Sequence, residues 1–340
     1  MKIIIPMAGE GSRLRPHTLI TPKPLIQILG KPILKRLLES LFKSIEILSI
    51  KEIVFIIGKV GKKIEKQLIK ISNDIGFHKI VIYYQEKPLG TADALIKAKN
   101  SLIGPIIIAF SDTLFYNDDF KIIKNTKIEN IIWTKKVKNP NLFGIVESDP
   151  SGIITRFIEK PKNNVSNLAI IGLYYFKNSS LLKKELQYIL DHNIKNEQEY
   201  QLTSALENMR KKGIRFTSKQ VQVWMDFGNK TRTISSNSKI LSIESKKSEL
   251  IHEKTIIKNS FIIKPCFIGE NTIIENSVIG PYVSIGKFTK IKNSNIKKSL
   301  IQDYTIIQNV NIYNSIIGSY TSYIETPKKV NLGDHSILNF

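Results

Sequence analysis

The sequence predicts an α/β domain built on a mostly parallel sheet, followed by a short parallel β-helix. Three observations predict it. Up to about residue 230, short apolar runs alternate with amphipathic helical patterns, as in sheets whose strands are joined by helices. Beyond about residue 255, aliphatic residues recur at a spacing that fits neither a helix nor an alternating strand. The bulk composition permits both parts: 340 residues, 42% hydrophobic and 24% charged, suffice for two domains with buried cores.

The elements follow in order. Strands are expected at Lys2–Met7, Glu52–Ile57, Ile80–Tyr84, Pro105–Phe110, Asn130–Thr134, Leu168–Phe176 and Val221–Met225, all short apolar runs. Helices are expected at Ile33–Ile45, Lys62–Ser72, Thr91–Lys99, Leu181–Leu190 and Glu199–Lys212. The first domain is read as residues 1–235. The polar stretch that follows, 236–254, reads as a partly helical connection, and residues 255–340 form the repeat domain.

In the repeat domain, Ile268 and Ile274 lie six residues apart, as do Ile279, Ile285 and Ile291, and Ile301 and Ile307. Such a period suits a three-sided parallel β-helix with one inward aliphatic residue on each short strand. Coils of this kind bury a face only by stacking, and the segment has room for about four of them.

The net charge of +22 admits nucleic acid or an acidic membrane as a partner. The lysines are spread over the whole chain without an accompanying aromatic cluster, and Ile and Asn are heavily used beside them, so A/T-rich codon usage accounts for the excess. Neither nucleic acid nor membrane is expected as a partner. No apolar run approaches the roughly 20 residues of a membrane span. We see no signal peptide, and the single cysteine, Cys266, fits a reducing compartment, so a cytoplasmic protein is expected.

The stretch "MAGEGSRLRPHTLITPKP", residues 7–24, directly follows the first strand. A P-loop would need G-x-x-x-x-G-K-[ST], which is absent. A dinucleotide loop would need a third glycine where Leu14 stands, and an immediate helix that Pro16, Pro22 and Pro24 forbid. What remains is a proline-stiffened loop around a triphosphate. Gly9 and Gly11 let backbone N–H groups approach phosphate oxygens, while Arg13 and Lys23 bring positive charge to the α-phosphorus and the leaving pyrophosphate.

With "AGEGSRLRP…TPKPL…GKPI" the sequence resembles the sugar-1-phosphate nucleotidyltransferases, and among them the glucose-1-phosphate thymidylyltransferases with a hexapeptide-repeat tail. Ala8 stands where the commoner form has a glycine. The resemblance covers roughly residues 1–235 and implies a Rossmann-like sheet, with a left-handed β-helix behind it. It also implies nucleotide contacts from Ala8, Gly9, Gly11 and Ser12.

Four further elements are similar to the family pattern and appear in order. "YYQEKPLGTADAL" supplies a base-reading loop with Gln85, Gly90 and Thr91. An amide offers a donor group beside an acceptor group, which match O4 and N3–H of uracil or thymine, so UTP or dTTP is expected. Asp112, after "PIIIAF", sits where open α/β sheets gather ligands and is expected to hold Mg²⁺; Ser111 replaces the family's more usual glycine. Asp118 and Asp119 read as a solvated helix start. In "RFIEKP" the resemblance implies that Glu159 accepts from sugar hydroxyls and Lys160 meets the sugar's phosphate, with Phe143-Gly144 and Gly172 beside the sugar. "VWMDFGN" supplies Asp226, a second metal carboxylate.

The implied reaction joins a nucleoside triphosphate to a sugar 1-phosphate, with glucose 1-phosphate expected and mannose-1-phosphate guanylyl transfer as the alternative. The nucleophile is already ionised, so no general base is required, and the five histidines are read as structural or surface residues. Two other classes fit less well. Acetyl transfer by the tail is disfavoured because residues 255–325 contain no histidine. A non-catalytic regulatory subunit is disfavoured because Arg13, Lys23, Asp112, Lys160 and Asp226 are all present. The tail is expected to build a homo-oligomer.

Overall fold

The computed structural model describes residues 1–44, 50–116, 129–163, 165–326 and 328–338. Ile45, Asp118 and Asp119 lie outside the described residues. The chain divides into two compact units: Met1–Ile26 with Lys31–Asn229, and Gln27–Gly30 with Lys230–Phe340.

In chain order come β1 (Lys2–Met7), the two-residue strand β2 (Gln27–Ile28), which belongs to the second unit, and then, in the first unit, the two-residue β3 (Lys31–Pro32), α1 (Ile33–Ser44), β4 (Glu52–Ile57), α2 (Lys62–Ile75), β5 (Ile80–Tyr84), α3 (Thr91–Lys97) and β6 (Ile106–Ala109). Strands β6, β1, β4 and β5 lie side by side and parallel. All six residues of β4 are buried, as expected for a strand covered on both faces. Helix α1 turns Ile33, Leu34, Leu37, Leu38 and Leu41 inward at helical spacing. Helix α2 runs three residues beyond expectation, because Asn73 and Asp74 continue it to a stop at Gly76 (φ 101°).

The rest of the sheet departs from the parallel pattern. After β7 (Thr113–Tyr116) come β8 (Asn130–Lys136), β9 (Gly144–Ser148), β10 (Ile154–Glu159) and β11 (Leu168–Phe176). Strand β11 runs antiparallel to β6, β8 and β9. Helices α4 (Ser179–Asp191) and α5 (Leu202–Lys211) precede β12 (Thr217–Gln220) and β13 (Val223–Asp226), and β13 pairs antiparallel with β7. Asn178 caps α4, its side chain accepting from the Ser180 N–H at 3.0 Å.

Apart from Gln27–Gly30, the second unit runs from α6 (Lys230–Glu244) onward, and α6 covers about half of the span read as a connection. Thirteen short strands, β14 (Ile256–Lys258) through β26 (Ser322–Ile324), then form three parallel sheets. This is the left-handed β-helix implied by the sequence, with Ile268, Ile274, Ile279, Ile285, Ile291, Ile301 and Ile307 buried inside. The strict six-residue period does not hold throughout. Ile274 pairs with Ile291 and Ile291 with Ile307, seventeen and then sixteen residues on, because the steps from Ile274 to Ile279, from Ile291 to Ile296 and from Ile296 to Ile301 are five residues rather than six. The corners explain this. Asn276, Asn293 and Asn309 turn the chain in the left-handed region, which Asn tolerates. Their amides form a ladder, Asn276 donating to Asn293 at 3.2 Å and Asn293 to Asn309 at 3.0 Å. At another corner Phe288, Tyr304 and Tyr320 stack with centroids 5.0 and 4.9 Å apart. Cys266 is buried in this unit, and burial pushes its thiol up to about 11. Among the described residues, no helix is long and apolar enough to cross a membrane.

Candidate active site

All the expected site residues fall in the first unit, gathered at the carboxyl ends of the parallel strands and along the β9–β10 hairpin. From β1 the chain enters the glycine loop. Gly11 takes φ 64°, and the Thr18 hydroxyl donates to its carbonyl at 2.8 Å. A Cβ on Gly9 would meet no protein atom, so the space beside it is open. The buried Leu14 anchors a short 3₁₀ turn, Ser12–Leu14, that carries Ser12 and Arg13 to the surface. The second 3₁₀ turn, Lys23–Leu25, is stiffened by Pro22 and Pro24 and points Lys23 back into the unit.

There the Lys23 ammonium donates to Asp112 Oδ2 at 2.7 Å. The Ser111 hydroxyl donates to the Pro6 carbonyl at 3.2 Å, tying the Asp112 turn to the end of β1. Asp112 keeps 33% of its side chain exposed. Burial alone would raise its pKa, but the charge and hydrogen bond of Lys23, with the Arg13 charge behind them, hold it below the ordinary carboxylate range. Asp226 is the last residue of β13 and stands opposite Thr113, and the Phe227 N–H donates to the Asp112 carbonyl at 3.1 Å. The two aspartates are thus fixed on adjoining segments. Asp226 Oδ1 also accepts the Gly228 N–H at 2.7 Å.

The donor set fits Mg²⁺. Two carboxylates, one held ionised by neighbouring cations, offer hard oxygen ligands to an ion that completes its shell with phosphate and water. Among the described residues no cluster of three His, Cys, Asp or Glu gathers into an all-protein cage.

The base-reading loop differs from expectation in one respect. Gln85 is only 4% exposed, and its amide nitrogen donates both to the Gly90 carbonyl (3.1 Å) and to Asp93 Oδ2 (2.8 Å). The donor half of the amide is therefore consumed inside the protein, and only Oε1 remains for a base. The expectation that Gln85 offers donor and acceptor together is corrected on this point, and uracil or thymine loses that support over guanine. Gly90 itself has φ 116°, and a Cβ there would stand 2.5 Å from the Tyr200 carbonyl oxygen. Thr91 bridges to the same segment, donating to Gln201 Oε1 at 3.1 Å and accepting from the Leu202 N–H at 2.8 Å.

On the hairpin, Gly144 stands opposite Glu159. A Cβ on Gly144 would lie 3.0 Å from Glu159 Oε2 and 2.9 Å from Thr203 Cγ2. The Thr203 hydroxyl donates to Glu159 Oε2 at 2.8 Å. Desolvation raises the Glu159 pKa, aided by Glu197 and Glu199 and opposed by Thr203 and Lys160. Lys160 holds φ 39°, an uncommon conformation for its residue type, and pairs with Glu197 at 2.5 Å. That bond raises the lysine's pKa. Phe143 packs edge-on against Trp224 with centroids 5.0 Å apart. Gly172 has a packing reason of its own: at φ 83°, a Cβ would press on Phe110 at 3.0 Å.

Sequence reasoning missed Thr203, Glu197 and Asp93. The first two lie on one segment remote in sequence from their partners, and no local motif flags them. Asp93 sits inside "GTADAL", where a carboxylate in a helix's first turn reads as ordinary end stabilisation.

The nucleotidyl transferase family model matches residues 2–243. The chain is similar to the bifunctional protein GlmU of Methanococcus aeolicus, 32% identical over 270 residues, covering 78% of this chain and 60% of that protein. It is also similar to the mannose-1-phosphate guanylyltransferase catalytic subunit beta of Drosophila pseudoobscura, 32% identical over 192 residues, covering 55% of this chain and 50% of that one. The chain thus spans three fifths or less of these relatives' lengths. Among solved structures, a Bacillus anthracis protein assigned as a glucose-1-phosphate thymidylyltransferase, in complex with a sucrose, superposes with a TM-score of 0.60 at 24% identity. It covers 70% of this chain and 94% of that one, and the likeness extends to the fold.

Proposed function

The chain belongs to the nucleotidyl transferase family, and from that premise we propose that it joins a nucleoside triphosphate to a sugar 1-phosphate. One observation carries the reading: Lys23 and Asp112, bonded at 2.7 Å at the carboxyl ends of β1 and β6, with Arg13 close enough to act on the same carboxylate. A phosphate oxygen of the sugar 1-phosphate attacks the α-phosphorus in line. The bond from that phosphorus to the bridging oxygen breaks, and pyrophosphate leaves with the bonding electrons. No proton moves, so the site needs charge and position rather than a base.

Each group has a part in that scheme. Gly9 and Gly11 give the triphosphate room, Arg13 and Lys23 stabilise the charge that builds on the transferred and departing phosphates, and Lys160 leaves Glu197 to hold the acceptor's phosphate. Glu159, backed by Thr203, accepts from sugar hydroxyls. Mg²⁺, held by Asp112 and Asp226, would supply further positive charge at the phosphates.

For the base, Gln85 has its Oε1 to offer, and that oxygen requires an N–H donor. N3–H of uracil or thymine provides one and remains our first choice, with glucose 1-phosphate as acceptor. N1–H of guanine meets the same requirement, and the similarity to a mannose-1-phosphate guanylyltransferase keeps GTP with mannose 1-phosphate as the alternative. The β-helix is assigned to self-assembly, which sedimentation velocity tests directly. An initial-rate matrix of UTP, dTTP and GTP against glucose, mannose and N-acetylglucosamine 1-phosphates, with Mg²⁺, tests the reaction by pyrophosphate release. Turnover of at least one pair is expected, with a drop of about a thousandfold or more in Asp112→Ala. An Asp112→Ala variant with near-normal Mg²⁺-dependent release would remove the metal assignment.

A further inference from the structure

Asp93 is 2% exposed and lies in the first turn of α3, eight residues beyond Gln85. Its two oxygens have different partners: Oδ1 accepts from the Lys97 ammonium at 2.9 Å, and Oδ2 accepts from the Gln85 amide at 2.8 Å. The second hydrogen of that amide goes to the Gly90 carbonyl at 3.1 Å.

Both of Gln85's partners are acceptors only. Turning the amide over would set Oε1 against a carboxylate and a carbonyl oxygen, losing two hydrogen bonds and adding repulsion in a buried place. The orientation of the amide is therefore fixed by the chemistry around it.

We infer that Asp93 is a positioning residue for nucleotide selection: it clamps the Gln85 amide so that its oxygen, never its nitrogen, faces the incoming base. The inference rests on the reading of Gln85 as the base-contacting residue. Lys97 keeps the carboxylate anchored on its far side. The site thereby selects a base edge that presents an N–H, and it does so without Asp93 touching the nucleotide.

The clamp has a consequence peculiar to a two-oxygen acceptor. An asparagine in place of Asp93 has one acceptor for two donors. The charged Lys97 takes it, and the NH₂ group of the substituted side chain then faces the Gln85 nitrogen, donor against donor. Removing the competing cation frees the single oxygen to return to Gln85. Asp93→Asn combined with Lys97→Met should thus repair what Asp93→Asn alone breaks.

The experiment compares wild type, Asp93→Asn, Lys97→Met and the double variant, using whichever of UTP, dTTP or GTP the wild type turns over. Asp93→Asn should raise the KM for the nucleotide about tenfold, with kcat and the sugar-phosphate KM changed less than about threefold. The double variant should return to within about threefold of Lys97→Met. A base methylated at the contacted N–H (N3-methyl-UTP for UTP) should be rejected by the wild type and far less discriminated against by Asp93→Asn. Unchanged nucleotide KM in Asp93→Asn, or a double variant no better than the single, overturns the clamp. Should Asp93→Asn fail to fold, Lys97→Met is compared with the double variant and with Lys97→Met carrying Asp93→Leu, which has no acceptor: a nucleotide KM near that of Lys97→Met in the double variant and about tenfold higher with leucine supports the clamp, and equal KM in all three, or a tenfold rise in the double variant, overturns it. A wild type that turns over no nucleotide refutes the proposed function instead, and the two failures are thereby distinct.

Discussion

Gly90→Ala tests the junction between the base loop and the segment that follows α4. The residue sits at φ 116° and ψ 174°, a region that only glycine occupies without strain, and its Cβ would stand 2.5, 2.7 and 2.9 Å from the Tyr200 O, N and C atoms. Those are backbone atoms and cannot swing aside like the end of a side chain. Separating the segments breaks two backbone hydrogen bonds, Ala92 N–H to the Tyr200 carbonyl and Tyr200 N–H to the Leu89 carbonyl, both 2.8 Å. Strain of about 2 kcal/mol and two bonds at about 1 kcal/mol each give a loss of about 4 kcal/mol. For a unit of this size the melting temperature should fall by about 10 °C. Differential scanning calorimetry of the full chain reads it, with Gly9→Ala as control, because a Cβ there meets nothing. A Gly90→Ala transition within about 2 °C of wild type would refute the close approach of the two segments.

Three further outcomes are expected. Gly9→Ala should keep wild-type stability within about 0.5 kcal/mol yet lower kcat/KM at least tenfold, read by melting and by pyrophosphate release, because its methyl enters the space assigned to phosphate. Lys23→Met should raise the Asp112 pKa, seen by carbon NMR titration of the carboxyl, and cut turnover by about a thousandfold. In the wild type the folded pKa of Asp112 is depressed, so its contribution to stability is present above the unfolded value and is lost as pH falls through the folded one. Glu159 has the opposite sign: its folded pKa is raised, the native state binds the proton more tightly, and stability falls as pH rises through the window between its unfolded and folded values. Glu159→Gln should therefore melt at or above wild type at pH 8, lose that advantage near pH 4, and raise the KM for the sugar phosphate at least tenfold.

Four central strands, three of the parallel core and the antiparallel β11, were legible because they are continuous apolar runs. Lys2–Met7, Glu52–Ile57, Ile80–Tyr84 and Leu168–Phe176 have the boundaries that their sequences lead one to expect. The strands β7, β9 and β12 were not read, since sequences such as "TLFY" and "TSKQ" are too short or too polar to announce themselves and are held by neighbours distant in sequence. Helix α6 was read only as a connection with some helix in it, because its serines and threonines dilute the apolar stripe. In the candidate site, Lys23 and Asp112 were chosen separately from motifs and prove to be bonded to each other across 89 residues. The orientation of Gln85 could not be read, because side-chain pairing depends on where the neighbouring turn places Asp93.

The short stretch from Glu197 to Thr203 reaches three places at once: Glu197 to Lys160, Tyr200 to Leu89 and Ala92 on either side of Gly90, and Thr203 to Glu159. On the proposed assignment, both substrates would lean on one wall. Whichever arrived first would restrict that wall, and the second would meet a surface already settled. Association of the two should be synergistic, and the thermodynamic box demands reciprocity: sugar phosphate tightens nucleotide by the same factor that nucleotide tightens sugar phosphate.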